Sequence, residues 1–166
     1  PTDMERARTL ALENRHQFEF WALGLVGAQP ADERKRGADR GIDGVIRFID
    51  DRSGNPKRLV IQVKSGKVQA SQIRDLAGTM EREKATIGAF VTLEPPTRPM
   101  LVEAATAGFY EPEHFKGRRY PRLQVLTIEE LLAGKELQYP RLAPAETFKR
   151  AGRAAKPRAG ENGELF

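Results

Sequence analysis

The chain of 166 residues contains no cysteine, which excludes disulfides, thiolate zinc sites, iron–sulfur clusters and thiol nucleophiles together and fits a reducing, cytoplasmic setting. Histidine occurs only as His16 and His114, so a site built from several imidazoles is excluded as well, and both are expected to be structural or surface residues. No apolar run approaches the roughly 20 residues of a membrane span, so no membrane partner is expected. Phosphate-loop chemistry is missing too. Gly66-Lys67 and Gly134-Lys135 are followed by Val68 and Glu136 where a nucleotide-binding loop has Ser or Thr. Glu94-Pro95-Pro96-Thr97 lacks the first and last residues of a methyltransferase tetrapeptide and reads as a strand-ending turn.

Charge is plentiful. Charged residues make up 31% of the chain, and 28 basic against 23 acidic residues leave a net charge of +5, which favours an anionic partner. Six basic and three acidic residues lie from Arg141 onward, so the first 140 residues hold 22 basic and 20 acidic. A polyanion site on the body must therefore be a local patch. The Pro-, Ala-, Gly- and Lys/Arg-rich stretch 141–166 is expected to be a flexible basic tail, and 1–140 a single domain. The first residue is Pro1 rather than Met, as expected of a piece of something longer.

Apolar spacing over 3–26 predicts one long amphipathic helix, with Ala7, Leu10, Ala11, Asn14, Phe18, Trp21, Ala22 and Leu25 on its stripe and Thr2 and Glu5 at capping-box distance. Val/Ile-rich stretches at 42–50 and 58–64 flank the turn chemistry of Asp51-Arg52-Ser53-Gly54-Asn55-Pro56-Lys57 and predict a β-hairpin. A helix over 71–84, a strand over 89–93, a helix from Thr97 to Ala107, an aromatic and arginine-rich loop over 109–122, a strand over 123–127 and a helix over 128–132 follow. Thr127 and Glu130 supply a second capping box. The expected fold class is α/β, a three-layer sandwich with a mixed sheet of four or five strands between helices.

The chemistry concentrates in the hairpin. Side chains alternate along a strand, so Gln62 and Lys64 share one side while Leu59, Ile61 and Val63 enter the core. Closing the hairpin about Gly54 and Asn55 brings Asp43 opposite the neighbourhood of residue 65. A hard divalent cation takes oxygen ligands, and Asp43, Gln62 and the Val63 carbonyl can provide them. Lys64 can hold the attacking water and the scissile phosphate. Ser65, Lys67, Gln69, Ser71 and Gln72, just beyond, are candidates for phosphate contact, as is Arg40 before the first strand. For Asp39 the alternatives are a second acid near the metal and, favoured over it, local pairing with Arg36 or Arg40 or a turn cap. The loop with Phe109, Tyr110, His114, Phe115, Tyr120, Arg118, Arg119 and Arg122 suits either nucleic-acid contact or plugging of the sheet edge.

Gly41-Ile42-Asp43-Gly44 followed by Ile61-Gln62-Val63-Lys64-Ser65 resembles the Mrr-like branch of the PD-(D/E)XK nuclease superfamily, in which glutamine replaces the acid of the final triplet. Phe18-Glu19 resembles that branch's Phe-Glu pair, which implies that Glu19 joins the metal site. The stretches 88–110 and 120–135 are similar to nuclease-like domains attached to bacterial amino-methyltransferases. The resemblance implies a restriction-endonuclease-like core and an Mg²⁺-dependent DNA endonuclease, with Mn²⁺ as a possible substitute. Asp43, Gln62 and Glu19 would hold the metal and Lys64 would activate water. DNA and a methyltransferase domain or subunit are the implied partners, with a homodimer for cutting both strands. The alternatives are a catalytically inactive DNA-binding or assembly module of the same fold, and a junction-resolving nuclease.

Overall fold

The computed structural model describes residues 1–32, 41–50, 54–113 and 117–141. Twelve elements follow one another among them: α1 (Met4–Glu13), α2 (Arg15–Leu25), β1 (Gln29–Pro30), β2 (Gly44–Phe48), β3 (Lys57–Lys64), α3 (Ala70–Glu83), β4 (Ile87–Thr92), α4 (Arg98–Ala105), β5 (Phe109–Tyr110), β6 (Tyr120–Pro121), β7 (Leu123–Thr127) and α5 (Ile128–Leu132). No helix of the described residues is long and apolar enough to cross a membrane. The expected tail lies outside the described residues from position 142 on.

The period-2 pattern of the hairpin and the continuous apolar run of β4 assemble a five-stranded mixed sheet in the order β1-β2-β3-β4-β7. β2 and β3 are antiparallel, while β3–β4 and β4–β7 are parallel, as helical crossovers require. Both faces of the sheet are covered. Leu59, Ile61 and Val63 pack with Ala7, Phe18, Ala22 and Leu23 of the first two helices and with Ile128 of α5. On the other face Val60 and Phe90 meet Ile73, Leu76 and Met80 of α3 and Met100 of α4. This is the expected three-layer sandwich, with the hydrophobic core in two sheets of contact.

Four local expectations need correction. The first helix is two helices: Asn14 lies in extended backbone at φ −152° and ψ 91°, closing α1 and opening α2. Its N-terminal cap is Asp3, whose side chain accepts the N–H of Arg6 at 2.9 Å, rather than Thr2. An edge strand, β1, pairs with Gly44 and Val45. It escapes a pattern search because two residues carry no periodicity. Finally, part of the expected loop over 109–122 is a two-stranded antiparallel ribbon, with Phe109 opposite Pro121 and Tyr110 opposite Tyr120. The other boundaries differ from expectation by a residue or two, as fraying ends do.

Candidate functional site

The register of the hairpin determines what meets at its open end. Gly44 pairs with Ile61 and Phe48 with Lys57, so the last paired residues of the hairpin are Phe48 and Lys57. Asp43 accordingly sits alongside Ile61–Val63 rather than opposite residue 65. Its N–H donates to the Ile61 carbonyl at 2.8 Å, and its Oδ2 accepts the N–H of Val63 at 2.8 Å. The carboxylate is thus pinned to the β3 backbone one residue before Lys64. On the far side, the Asp43 carbonyl accepts the N–H of Ala31 at 2.9 Å.

Gln62 and Lys64 are half-buried on the face of β3 that carries Val60, while the Val63 side chain is core. Lys64 pairs in register with Thr92, and its carbonyl accepts the N–H of Leu93 at 2.9 Å, which fixes the strand end. Gly41 lies close to the Gln62 side chain, in left-handed backbone at φ +58°. A Cβ at Gly41 would lie 3.4 Å from Thr79 Oγ1 and 3.6 Å from Gln62 Nε2. Gln62 Oε1 is buried without a hydrogen-bond partner among the described residues. A buried amide oxygen left unpaired costs on the order of 1–3 kcal/mol, so a donor or a cation is the natural complement.

Glu19 comes to this corner from α2. Its side chain is 27% exposed and lies 3.8 Å from the Arg15 guanidinium one turn earlier. Burial, and next the negative charge of Asp43, push the Glu19 carboxyl above its ordinary value, against the positive influence of Arg15, His16 and Lys64. Glu19 therefore lies within electrostatic reach of both Asp43 and Lys64. The carboxylates of Asp43 and Glu19 are oxygen donors of the kind Mg²⁺ or Mn²⁺ takes, and the orphaned Gln62 oxygen lies on the face of β3 that carries Val60. Among the described residues there is no group of three or more His, Asp or Glu side chains placed to hold a metal, so the set would rest on Asp43 and Glu19 with Gln62 and the Val63 backbone as neutral oxygens. With that composition the residues fit a divalent cation that keeps several waters.

The other expected residues divide. Ser65 is half-buried and Lys67 exposed in the segment leaving β3. Ser71 is half-buried in the first turn of α3, and Gln72 is engaged locally, its Oε1 accepting the N–H of Gln69 at 2.9 Å as a helix cap. Arg40, Arg36 and Asp39 lie outside the described residues, as do His114 and Phe115. The β5–β6 ribbon is not at the site. Tyr110 OH accepts a hydrogen bond from Lys57 Nζ at 2.8 Å, and Lys57 begins the strand that Lys64 ends, roughly 23 Å away at ~3.3 Å per residue. There Arg119 stacks 4.3 Å from the Phe109 ring centroid. His16 is exposed, edge-on to Phe20 at 4.7 Å. Sequence reading missed Arg15, whose i,i+4 spacing to Glu19 was the available signal, and Asn14, which looked like part of an apolar stripe.

A family model described as "NACHT-associated inactive Restriction Endonuclease 1" matches residues 15–133, a span that includes Glu19, Asp43, Gln62 and Lys64. No curated protein matches the chain. Among solved structures, the "DNA modification-dependent restriction endonuclease AspBHI" is similar with a TM-score of 0.55 at 18% identity, over 79% of this chain and 33% of that one. The "MspJI Restriction Endonuclease in Complex with 27-mer Oligonucleotide" is similar with a TM-score of 0.47 at 18% identity, over 78% of this chain and 29% of that one. The chain thus spans about a third of the length of the solved structures it matches. The likeness to AspBHI shows the restriction-endonuclease-like fold.

Proposed function

The chain belongs to the family of NACHT-associated inactive restriction endonucleases, and from that premise we propose that it is a DNA-acting module whose own residues keep the parts for metal-dependent phosphodiester hydrolysis. The observation that carries this reading is the Asp43 carboxylate pinned to the β3 backbone at Val63, between Gln62 with its partnerless Oε1 and Lys64 in sequence, with Glu19 in electrostatic reach. A divalent cation bound there supplies charge neutralisation and a more acidic water. Asp43 holds its carboxylate in place through the Val63 N–H, and Glu19 adds the second negative charge. Gln62 contributes a neutral oxygen, as does the Val63 carbonyl. Lys64, fixed at the strand end, orients the attacking water and offsets negative charge gathering on the phosphate.

DNA as the substrate is supported by the net charge of +5 and by the name of the AspBHI relative in fold, a DNA modification-dependent endonuclease. Ser65, Lys67 and Ser71, and Arg40 outside the described residues, are the proposed phosphate contacts. The arrangement of Asp, Gln-x-Lys and helix-borne Glu is the Mrr-like pattern. In that reading a methyltransferase domain or subunit is a partner, and two copies act together on a duplex.

A second reading is favoured by the word "inactive" in the family's description and by the lack, among the described residues, of any group of three His, Asp or Glu side chains placed to hold a metal. In it the chain keeps the fold for binding or assembly without cutting. Supercoiled plasmid incubated with Mg²⁺ or Mn²⁺ separates the two. We expect cleavage by the unsubstituted protein and its loss in Asp43→Ala and Lys64→Ala. Cleavage surviving both substitutions overturns the site, and DNA binding without cleavage by any form establishes the second reading. Branched against linear duplex substrates test junction preference in the same assay.

A further inference from the structure

Asn14 is where the structure departs most from the sequence pattern, and it lies five residues before Glu19. The apolar spacing on either side supports one continuous helix, and two bonds of that helix survive the break. Asn14 N–H donates to the Leu10 carbonyl at 2.8 Å and Phe18 N–H to the Asn14 carbonyl at 3.0 Å. Between them the backbone of Asn14 turns extended, and Asn14 Oδ1 accepts the N–H of Gln17 at 3.1 Å. The side chain thus supplies an acceptor that a broken helix lacks and a continuous helix would not need. Positions 12–17 are all exposed and Leu12 is 89% exposed, so no side chain at the break itself is held by the core.

The consequence is a change of direction. α1 reaches the core through Ala7, while α2 lies on the sheet through Phe18, Ala22 and Leu23. The first turns of α2 carry Arg15 and Glu19, and their position relative to Asp43 and Lys64 depends on where α2 starts and how it lies. We infer that Asn14 is a positioning residue: its side-chain cap breaks the helix so that α2 presents Glu19 to the Asp43–Lys64 corner. This rests on the reading that Glu19 belongs to that corner. Alanine at 14 has the strongest helix propensity and no acceptor, so it favours one straight helix. Serine keeps the cap.

Because the chain has no cysteine, a single His16→Cys substitution on the exposed start of α2 takes one nitroxide label. Relaxation enhancement at the backbone amides of Val63 and Lys64 then reports how α2 lies against the strand end, with no metal and no turnover involved. We expect strong broadening of both amides in the labelled parent and in the added Asn14→Ser variant. In Asn14→Ala the broadening should fall at least about twofold, while amides of β7, such as Val125, keep their shifts and report an intact sheet. Unchanged broadening in Asn14→Ala overturns the inference, and so does equal loss in the serine variant. Plasmid cleavage by the unlabelled variants is scored separately. A protein that never cuts but shows the expected labelling pattern refutes the nuclease reading and leaves the role of Asn14 standing.

Discussion

At the scale of single residues, the corner is governed by one charge balance. Asp43 is tied to the backbone, and Glu19 is held near it at an electrostatic cost. Burial first, and the Asp43 charge second, raise the Glu19 carboxyl above its ordinary 4.5. Between that value and the raised one the folded chain binds more protons than the unfolded chain, so this group's contribution to stability falls as pH rises through the window. Glu19→Gln keeps the shape and removes the titration. The variant is expected to be at least as stable as the parent at about pH 7, with the difference shrinking toward about pH 4. Urea midpoints at the two pH values check this, and a variant clearly less stable at neutral pH contradicts it. The shared face of Gln62 and Lys64 was legible from spacing alone, because strand alternation is a local rule, whereas the place of Asp43 alongside Ile61–Val63 needed the hairpin register. Glu19 was legible only through family resemblance, since nothing in an amphipathic pattern says which sheet end a helical carboxylate approaches.

At the scale of elements, close approach of α2 to β2 brings the helix to the corner. Gly44 follows Asp43 directly, and a methyl group there would collide with the Leu23 side chain and sit 3.2 Å from the Gln29 carbonyl. Leu23 is 1% exposed and backbone does not yield easily, so the contact has little room to relax. Gly44→Ala is therefore expected to destabilise by about 1–3 kcal/mol and to weaken any activity of the corner, by lifting α2 away from it. Thermal unfolding with a parallel cleavage assay checks both, and an unchanged melting temperature refutes the packing argument. The α5 cap shows the opposite kind of element, one written out locally. Thr127 Oγ1 accepts the N–H of Glu130 at 3.0 Å, and Glu130 answers by accepting the N–H of Thr127 at 3.1 Å, as the Thr-x-x-Glu spacing predicts.

At the scale of the whole molecule, the candidate corner lies at one end of the sheet and aromatic and cationic contacts lie at the other. The open end of the hairpin gathers Asp43, Gln62 and Lys64. At the opposite end Lys57 pairs with the buried Asp50 at 2.9 Å and bonds Tyr110, tying the β5–β6 ribbon to the hairpin. Aromatics that looked equally suited to nucleic acid are thus engaged in part as structure. Each chain carries one such corner among its described residues, and on the nuclease reading one corner would attack one strand. If the nuclease reading holds, nicked plasmid accumulates before linear product, and linear product rises more steeply than in proportion to protein concentration. Linearisation without a nicked intermediate at low protein concentration argues against two copies acting together.

The order of elements, the hairpin, the two-sided apolar strands and the shared face of Gln62 and Lys64 follow from short-range rules, because period, capping and turn chemistry act over a few residues. The edge strand β1, the hairpin register and the approach of α2 to Asp43 were decided by tertiary structure. These depend on contacts between elements distant in sequence, such as the packing of Phe18, Ala22 and Leu23 of α2 on β3, whereas the break at Asn14 carries its own local cap.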